Sequence, residues 1–163
     1  MLRVIAYTGG WNSPSRVFRV QYYQAPLLAT GIDLRECPSA AGAFPPPPSR
    51  KWLRPFWALW NLADRAPDTL RSFQYDLVFL QREMLSTFVT WEPLTKKPRV
   101  LDVDDAIWVF RRGRAAAKLA CLCDHVICRN SFLADQFSRW NSWRDHLADA
   151  SRCPSVLPAG KTG

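Results

Sequence analysis

The stretch LRVIAYTGGWNSPSRVFRV, residues 2–20, joins a predicted strand to a predicted helix. Its first six residues are mostly apolar and lead into Thr-Gly-Gly, which is typical of a buried strand that ends in a turn. Residues 12–15, Asn-Ser-Pro-Ser, offer caps and a proline for a helix N-terminus, and the apolar spacing after them predicts a helix over 16–31. Gly31 marks its end, and Pro26 either kinks the helix or ends it early. A strand that passes through glycines into a helix is typical of an α/β fold.

The same alternation recurs along the chain. Further strands are predicted over 32–37, 75–81, 99–104 and 125–129, and further helices over 52–66, 84–94, 113–123 and 130–140. A proline-rich segment, 38–51, predicts an exposed loop. Repeated strand–helix units with apolar strands predict one α/β, Rossmann-like domain over 1–141, with a mainly parallel sheet and helices on both faces. Residues 142–163 break the pattern and are interpreted as an atypical tail, either the start of an interdomain linker or a shifted reading frame.

The charge balance favours an anionic partner. The chain has 22 Lys and Arg against 14 Asp and Glu, a net charge of +8, which suits nucleic acid, an anionic membrane, or the phosphates of a nucleotide or lipid carrier. No apolar run is long enough to span a bilayer, and the N-terminal residues are interpreted as a strand and not as a signal peptide. Five cysteines, an odd number at uneven spacing, fit reduced thiols. We therefore expect a cytoplasmic protein, or one that is peripheral on the inner face of a membrane.

Ligands of parallel sheets bind at the carboxyl ends of the strands, which directs attention to the glycines after the first strand. Gly9 and Gly10 lack a Cβ, so a ligand can approach the backbone of this predicted glycine loop. Arg16 and Arg19 on the following helix add donors for an anion. The pattern matches neither dinucleotide-binding nor Walker motifs, and a simple turn is the alternative.

The stretch RVLDVDDAIW, 99–108, places Asp102, Asp104 and Asp105 at the end of another strand. It is similar to the first motif of haloacid dehalogenase-type phosphatases, but the residues after Asp105 lack the paired acids that this chemistry needs. A strand end that caps the next helix is a second alternative. We expect Asp105 to contact a ligand and Asp102 to be buried and structural.

Two further stretches leave alternatives open. Cys121, Cys123, His125 and Cys128 can be ligands of zinc, but their spacing fits structural zinc sites poorly, so we expect buried free thiols and no metal. The segment 49–60, SRKWLRPFWALW, interleaves basic and aromatic residues. It fits a helix packed on the core by one apolar stripe (Trp52, Phe56, Leu59, Trp60 and Ala63), a helix at an anionic membrane surface, or a surface that stacks on single-stranded nucleic acid.

Taken in order, four motifs resemble the N-terminal domain of family 4-type glycosyltransferases with the GT-B fold. They are YTGGWNSPSRVFRVQYYQAPLLATGID (7–33), YDLVFLQRE (75–83), KPRVLDVDDAIW (97–108) and CDHVICRNSFLADQFSRWN (123–141). The resemblance implies the acceptor-binding half of a retaining enzyme that transfers a sugar from a nucleotide-sugar to a lipid-linked or polysaccharide acceptor. It implies no cofactor besides the donor substrate, no metal and no specific nucleic acid.

The resemblance also implies site residues. Asp104 and Asp105 would be the catalytic pair at the cleft, and the donor-phosphate and acceptor contacts would come from Gly9, Gly10, Arg16, Arg19, Arg82, Asn130 and Ser131. The donor-binding second domain of that family has no counterpart in these 163 residues, so we expect a truncated domain without transferase activity of its own. A basic Rossmann-like binding module for anionic membrane or nucleic acid is the alternative, with the phosphatase as a third.

Overall fold

A computed structural model describes residues 1–11, 14–40, 42, 45–82, 84–85, 88–107, 109 and 113–141. Five strands form one sheet, and every pair in it is parallel. They are β1 (Leu2–Gly10), β2 (Ile32–Ser39), β3 (Leu77–Leu80), β4 (Arg99–Val103) and β5 (His125–Cys128), in the order β2-β1-β3-β4-β5. The predicted α/β, Rossmann-like fold with a parallel sheet is therefore confirmed.

Helices connect these strands. The first helix has three consecutive parts, α1 (Pro14–Arg16), a π-helical turn (Val17–Gln21) and α2 (Tyr22–Ala29). The others are α3 (Arg54–Arg71), α4 (Arg114–Leu122) and α5 (Ser131–Phe137), and short 3-10 segments span Pro48–Leu53, Ser72–Gln74 and Glu92–Leu94. Pro26 lies inside α2 without ending it. None of the helices in the described part of the chain combines the length and the apolar character needed to cross a membrane.

The first helix and α3 lie on opposite faces of the sheet. Tyr7 Oη donates a hydrogen bond to the Asp68 carbonyl of α3 over 2.6 Å, whereas Thr8 Oγ1 donates to Glu36, the partner of Arg16 on the first helix. Because neighbouring residues of a strand point to opposite faces, these contacts assign one face to each helix. Helices on both faces are thus confirmed.

The core lies on one face of the sheet, where alternate residues of the inner strands meet helices α4 and α5. It comprises a buried cluster that includes Ile5, Tyr7, Val78, Leu80, Leu101, Val103, Leu119, Val126, Leu133 and Phe137. The inner strands β1, β3 and β4 contribute to it at every second position, because alternate residues of a strand point to the same face of the sheet. Phe137 is fully buried and stacks edge to face on Trp140, with 5.3 Å between the ring centroids.

Two local predictions are wrong. Residues 84–94 do not form the predicted helix, since in the described part only Glu92–Leu94 are helical, as a 3-10 turn. The fully buried Glu92 carboxylate instead accepts hydrogen bonds from the backbone N–H groups of Met84 and Thr90, which gives this backbone a partner other than an i−4 carbonyl. Gly9 and Gly10 belong to β1 and not to a loop, since Gly10 pairs with Ser39 after a bulge. The tail, 142–163, lies outside the described residues.

Candidate functional site at the carboxyl edge of the sheet

The strand order reverses at β1, so its junction with β3 is the topological switch point where ligands of such sheets bind. The bulge between Thr8 and Gly10 lies on the other side of β1, in its pairing with β2. Gly10 is buried and Gly9 half-buried, and the Gln81 N–H donates to the Tyr7 carbonyl over 3.1 Å, which extends the β1–β3 ladder to the edge. The two glycines are therefore the last residues of β1 and not part of the loop that the sequence predicts.

Arg16 is held against the edge of β2. Its Nε donates to Glu36 Oε1 over 2.5 Å, and the same oxygen accepts the Thr8 hydroxyl over 2.8 Å. Its Nη1 donates to the Trp11 carbonyl, and its guanidinium carbon lies 4.7 Å from the Trp11 ring centroid. Since only 11% of the Arg16 side chain is exposed, this arginine mainly fixes the first helix to β1 and β2.

Arg19 forms a second ion pair between the first helix and the sheet, with Asp102 of β4. Its Nε and Nη2 donate to the two carboxylate oxygens of Asp102, and only 4% of that Asp102 side chain is exposed. Burial raises the pKa of Asp102, while the hydrogen bonds and charge of Arg19 oppose the rise. A carboxylate whose two oxygens are both taken by a bidentate arginine is poorly placed to act as a nucleophile, which counts against the phosphatase alternative. Asp102 is the buried, structural aspartate, as predicted.

Above this pair the edge opens into a cleft of about 390 Å³, lined among the described residues by Phe18, Arg19, Asp104 and Arg129. Phe18 and Arg19 belong to the π-helical turn, a feature common at functional sites. Arg129 is exposed, and its backbone N–H donates to the Val103 carbonyl, which places it beside the end of β4. The lining thus combines two arginines, one aspartate and a phenylalanine that is 61% exposed.

The remaining predicted site residues lie along the same edge. Asp105 is exposed, and its carbonyl accepts the Ile107 N–H over 2.8 Å, so it forms a turn directly beyond the cleft. Asn130 caps α5, with its Oδ1 accepting the Leu133 N–H over 2.9 Å, which is the cap the sequence predicts. Ser131 is exposed as the first residue of α5, and Arg82 is half-buried just after β3.

Beneath the edge lies a row of polar side chains. Tyr7, Leu80 and Leu101 are in register across β1, β3 and β4, so the next residues along these strands, Thr8, Gln81 and Asp102, face the first helix together. All three residues are buried, and among the described residues Gln81 Nε2 finds no hydrogen-bond acceptor. A buried polar row at the end of a sheet is costly unless it is satisfied. Here Arg19 pairs with Asp102, and the Thr8 hydroxyl donates to Glu36, the partner of Arg16.

On the other face, Arg65 of α3 secures the ends of β1 and β2. Its Nη1 and Nη2 donate to the backbone carbonyls of Cys37 and Thr8, and its guanidinium carbon lies 5.7 Å from the Tyr7 ring centroid. Burial lowers the pKa of Arg65, and the neighbouring Asp64 opposes that change. Arg65 is a scaffold residue of the edge that the sequence did not single out.

Cys121, Cys123 and Cys128 differ in exposure. Cys123 is buried, Cys128 half-buried and Cys121 exposed, so the prediction of buried thiols is wrong for Cys121. Burial raises the pKa of Cys123 to about 12 and that of Cys128 to about 11, which keeps both thiols protonated at neutral pH. Among the described residues no cluster of three His, Cys, Asp or Glu could hold a metal ion.

Sequence reasoning missed Phe18 and Glu36. It also missed the pairing of Arg19 with Asp102, because each ion pair joins residues far apart in the chain. Arg16 and Glu36 are 20 residues apart, and Arg19 and Asp102 are 83 apart. No local sequence pattern predicts such pairs. No protein-family model matches this chain, and comparison with curated proteins and with solved structures yields no match either. The likeness to glycosyltransferases therefore rests on the sequence motifs alone.

Proposed function

We propose that this chain is the acceptor-side domain of a retaining glycosyltransferase and binds a phosphate-bearing sugar acceptor in the carboxyl-edge cleft. The observation that carries the proposal is the set of groups lining this cleft, with Arg19 and Arg129 beside Asp104 and the exposed Phe18 ring. Guanidinium groups bind phosphate with paired, charge-assisted hydrogen bonds. A carboxylate accepts hydrogen bonds from sugar hydroxyls, and an aromatic ring covers the apolar face of a pyranose.

The scaffold of the cleft supports this assignment. Asp102 fixes two nitrogens of Arg19 and so holds its guanidinium in one orientation before a ligand arrives. Because the ordering is done in the folded protein, less conformational entropy is lost when an anion binds. Asp104 and Asp105 follow β4 directly, so the acceptor hydroxyl would lie against the carboxylates that the resemblance makes catalytic.

In the family that the sequence resembles, the nucleotide-sugar is bound mainly by a second domain. We therefore expect this chain alone to bind sugar phosphates weakly and to show little affinity for a nucleotide-sugar and no transferase activity. The cytoplasm, or the inner face of a membrane, is the compartment in which nucleotide-sugars and lipid-linked acceptors meet in this proposal.

The test is an NMR titration of the isotope-labelled chain with glucose 1-phosphate, glucose, inorganic phosphate and UDP-glucose at constant ionic strength. Glucose 1-phosphate should shift the resonances of residues at the cleft. Asp104→Asn should weaken the binding of glucose 1-phosphate while leaving the binding of inorganic phosphate unchanged. Arg139→Gln, an exposed arginine just beyond α5, is the matched control. Tight, specific binding of UDP-glucose would overturn the acceptor-side assignment, and glucose 1-phosphate shifts confined to surfaces away from the cleft would overturn the site.

A further inference from the structure

The helix α3 exposes its apolar side. Trp52, at the end of the preceding 3-10 turn, and Phe56, Leu59 and Trp60 on the helix are 67%, 68%, 66% and 63% exposed. Leu70, 72% exposed, continues the same stripe, since these positions recur at helical spacing. The interpretation of this stripe as core packing is therefore wrong. Trp52, Phe56, Leu59, Trp60 and Leu70 are called the outward face of α3 below.

The side of α3 that faces the sheet is polar. Asn61, Arg65 and Thr69 are its buried residues. Ser39 Oγ donates to Asn61 Oδ1 over 2.7 Å, and Arg65 donates to the backbone carbonyls at the ends of β1 and β2. Turning the helix over would leave these buried groups without partners, at a cost of about 1–3 kcal/mol for each. The outward orientation of the apolar stripe is thus fixed by specific hydrogen bonds.

The N-terminal turns of α3 extend beyond the sheet. Asn61 contacts Ser39, and Asp64 accepts the N–H of Ala40 over 2.9 Å, so this part of the helix is level with the carboxyl end of β2. At a rise of about 1.5 Å per residue, residues 54–60 therefore project about 10 Å past that edge. The aromatic part of the outward face lies on this projection, on the same edge of the sheet as the cleft.

The exposed charges beside this face are all of one sign. Between 50 and 71 the exposed charged residues are Arg50, Lys51, Arg54 and Arg71. Neither acid of the segment is fully exposed, since Asp64 accepts the Ala40 N–H and Asp68, 19% exposed, pairs with Arg71 over 3.1 Å. The cations without this partner, Arg50, Lys51 and Arg54, lie at the aromatic end of the outward face. An apolar and aromatic stripe flanked by cations, with no exposed acid, is complementary to a surface that is apolar beneath a layer of negative charge.

We infer that the outward face of α3 docks on an anionic lipid bilayer, with the helix lying in the plane of the membrane interface. Tryptophan and phenylalanine partition at the boundary of headgroups and acyl chains, and Arg and Lys reach the lipid phosphates from the ends of the stripe. From Trp52 to Leu70 the stripe is about 27 Å long, enough for several side chains to insert together. The inference does not depend on the glycosyltransferase proposal.

The experiment is co-sedimentation of the chain with vesicles of phosphatidylcholine alone and of phosphatidylcholine with 30% phosphatidylglycerol. The anionic vesicles should bind at least tenfold more chain, and binding should fall steeply with salt. Trp52→Ser with Trp60→Ser should reduce binding at least tenfold. Replacing Arg50, Lys51 and Arg54 by Gln should remove the preference for anionic lipid, with about a fivefold loss for each residue.

Matched controls separate this face from the rest of the surface. Tyr22→Ser with Leu28→Ser removes two exposed apolar side chains of α2, 64% and 54% exposed, and should leave vesicle binding unchanged. A second control variant combines three substitutions outside α3, Arg114→Gln, Lys118→Gln and Arg139→Gln. It changes the net charge by the same amount as the replacement of Arg50, Lys51 and Arg54, and it should reduce vesicle binding far less. Circular dichroism checks that each variant folds.

Three results would overturn the inference. The first is absence of vesicle binding by the folded chain. The second is an equal loss of binding in the control variants. The third is that the outward face of α3 binds a single-stranded oligonucleotide, or a second copy of the chain as seen in sedimentation velocity. In that case Trp52→Ser with Trp60→Ser would weaken that association and would leave lipid binding unchanged.

Discussion

Removal of the Arg19 guanidinium should lower the free energy of unfolding, because it leaves the buried Asp102 carboxylate without its hydrogen-bond donors. In Arg19→Met the apolar part of the side chain is retained, but both oxygens of an aspartate that is 4% exposed lose their hydrogen-bond donors. Breaking a buried pair in this way costs about 3–5 kcal/mol. We expect the lower end, about 3 kcal/mol at pH 7, because 24% of the Arg19 side chain is exposed.

The pH dependence identifies the cause. Burial raises the pKa of Asp102, and removal of Arg19 takes away the group that opposes this rise. The folded state then holds its proton more tightly than the unfolded state, so the variant loses stability as the pH rises from the ordinary aspartate value through the raised one. The destabilisation of Arg19→Met should therefore be at least 1 kcal/mol smaller at pH 5 than at pH 7.

Urea unfolding followed by circular dichroism at the two pH values measures these differences. Arg19→Met with Asp102→Leu should recover part of the loss, with a coupling free energy of about 2 kcal/mol in the double-mutant cycle. A loss below about 0.5 kcal/mol for Arg19→Met at pH 7, or a loss that is the same at pH 5 and pH 7, would refute the reasoning.

Three further changes test the scaffold by the same unfolding assay. Phe137→Ala should lose about 3–5 kcal/mol because it empties a fully buried site, whereas Phe132→Ala, at a 68% exposed site, should change stability by less than about 0.5 kcal/mol; equal losses would contradict the core assignment. Asn130→Ala should cost about 1 kcal/mol through loss of the α5 cap, and Asn130→Asp, which keeps an acceptor, should cost less. Because burial raises the pKa of Cys123 to about 12, the unfolded thiol ionises first above its ordinary value of 9.0. Cys123 should therefore contribute about 1.4 kcal/mol to the loss of stability between pH 7 and pH 10, in addition to what Cys128 contributes. Cys123→Ala should lessen this fall, and an unchanged alkaline slope would contradict the burial of that thiol.

The strands were predictable because their signal is local. Each is a short apolar run bounded by turn or charged residues, and the predicted 99–104 and 125–129 differ from β4 and β5 by one residue each. The Asn130 cap is local too, because its acceptor is three residues from the donor. Asp102 was predicted to be buried because it lies inside the predicted strand, whereas Asp105 was placed at the start of the loop.

The wrong predictions concern interactions between residues that are far apart in the sequence. Helical spacing identified the stripe of α3, but spacing alone does not say which side of a helix meets the sheet. That choice is made by Asn61 and Arg65, whose partners lie on other strands. The predicted helix over 84–94 is wrong for a related reason, since the Glu92 carboxylate accepts the Thr90 N–H that a helix would need.

At the candidate site, the sequence located the edge but not the pairing along it. Arg16 and Arg19 were predicted as anion donors, and both are engaged by acids of the sheet. Arg19 still lines the cleft, and its second neighbour there, Arg129, was not among the predicted contacts. Asp104 lines the cleft as well, whereas Asp105 was the preferred ligand from the sequence. The preference for Asp105 stays a prediction that the Asp104→Asn and Asp105→Asn variants can compare.

The most direct test of the proposed function is the dissociation constant of glucose 1-phosphate for the native chain and for Arg129→Gln at fixed ionic strength. Arg129 is exposed and lines the cleft. This substitution therefore removes a charged hydrogen-bond donor to the phosphate of the ligand and leaves the buried core intact. We predict that Arg129→Gln weakens binding about 10-fold, as expected for the loss of a charge-assisted hydrogen bond, while Arg139→Gln does not. Equal affinities of the native chain and Arg129→Gln would contradict the claim that this cleft binds the phosphate of a sugar acceptor.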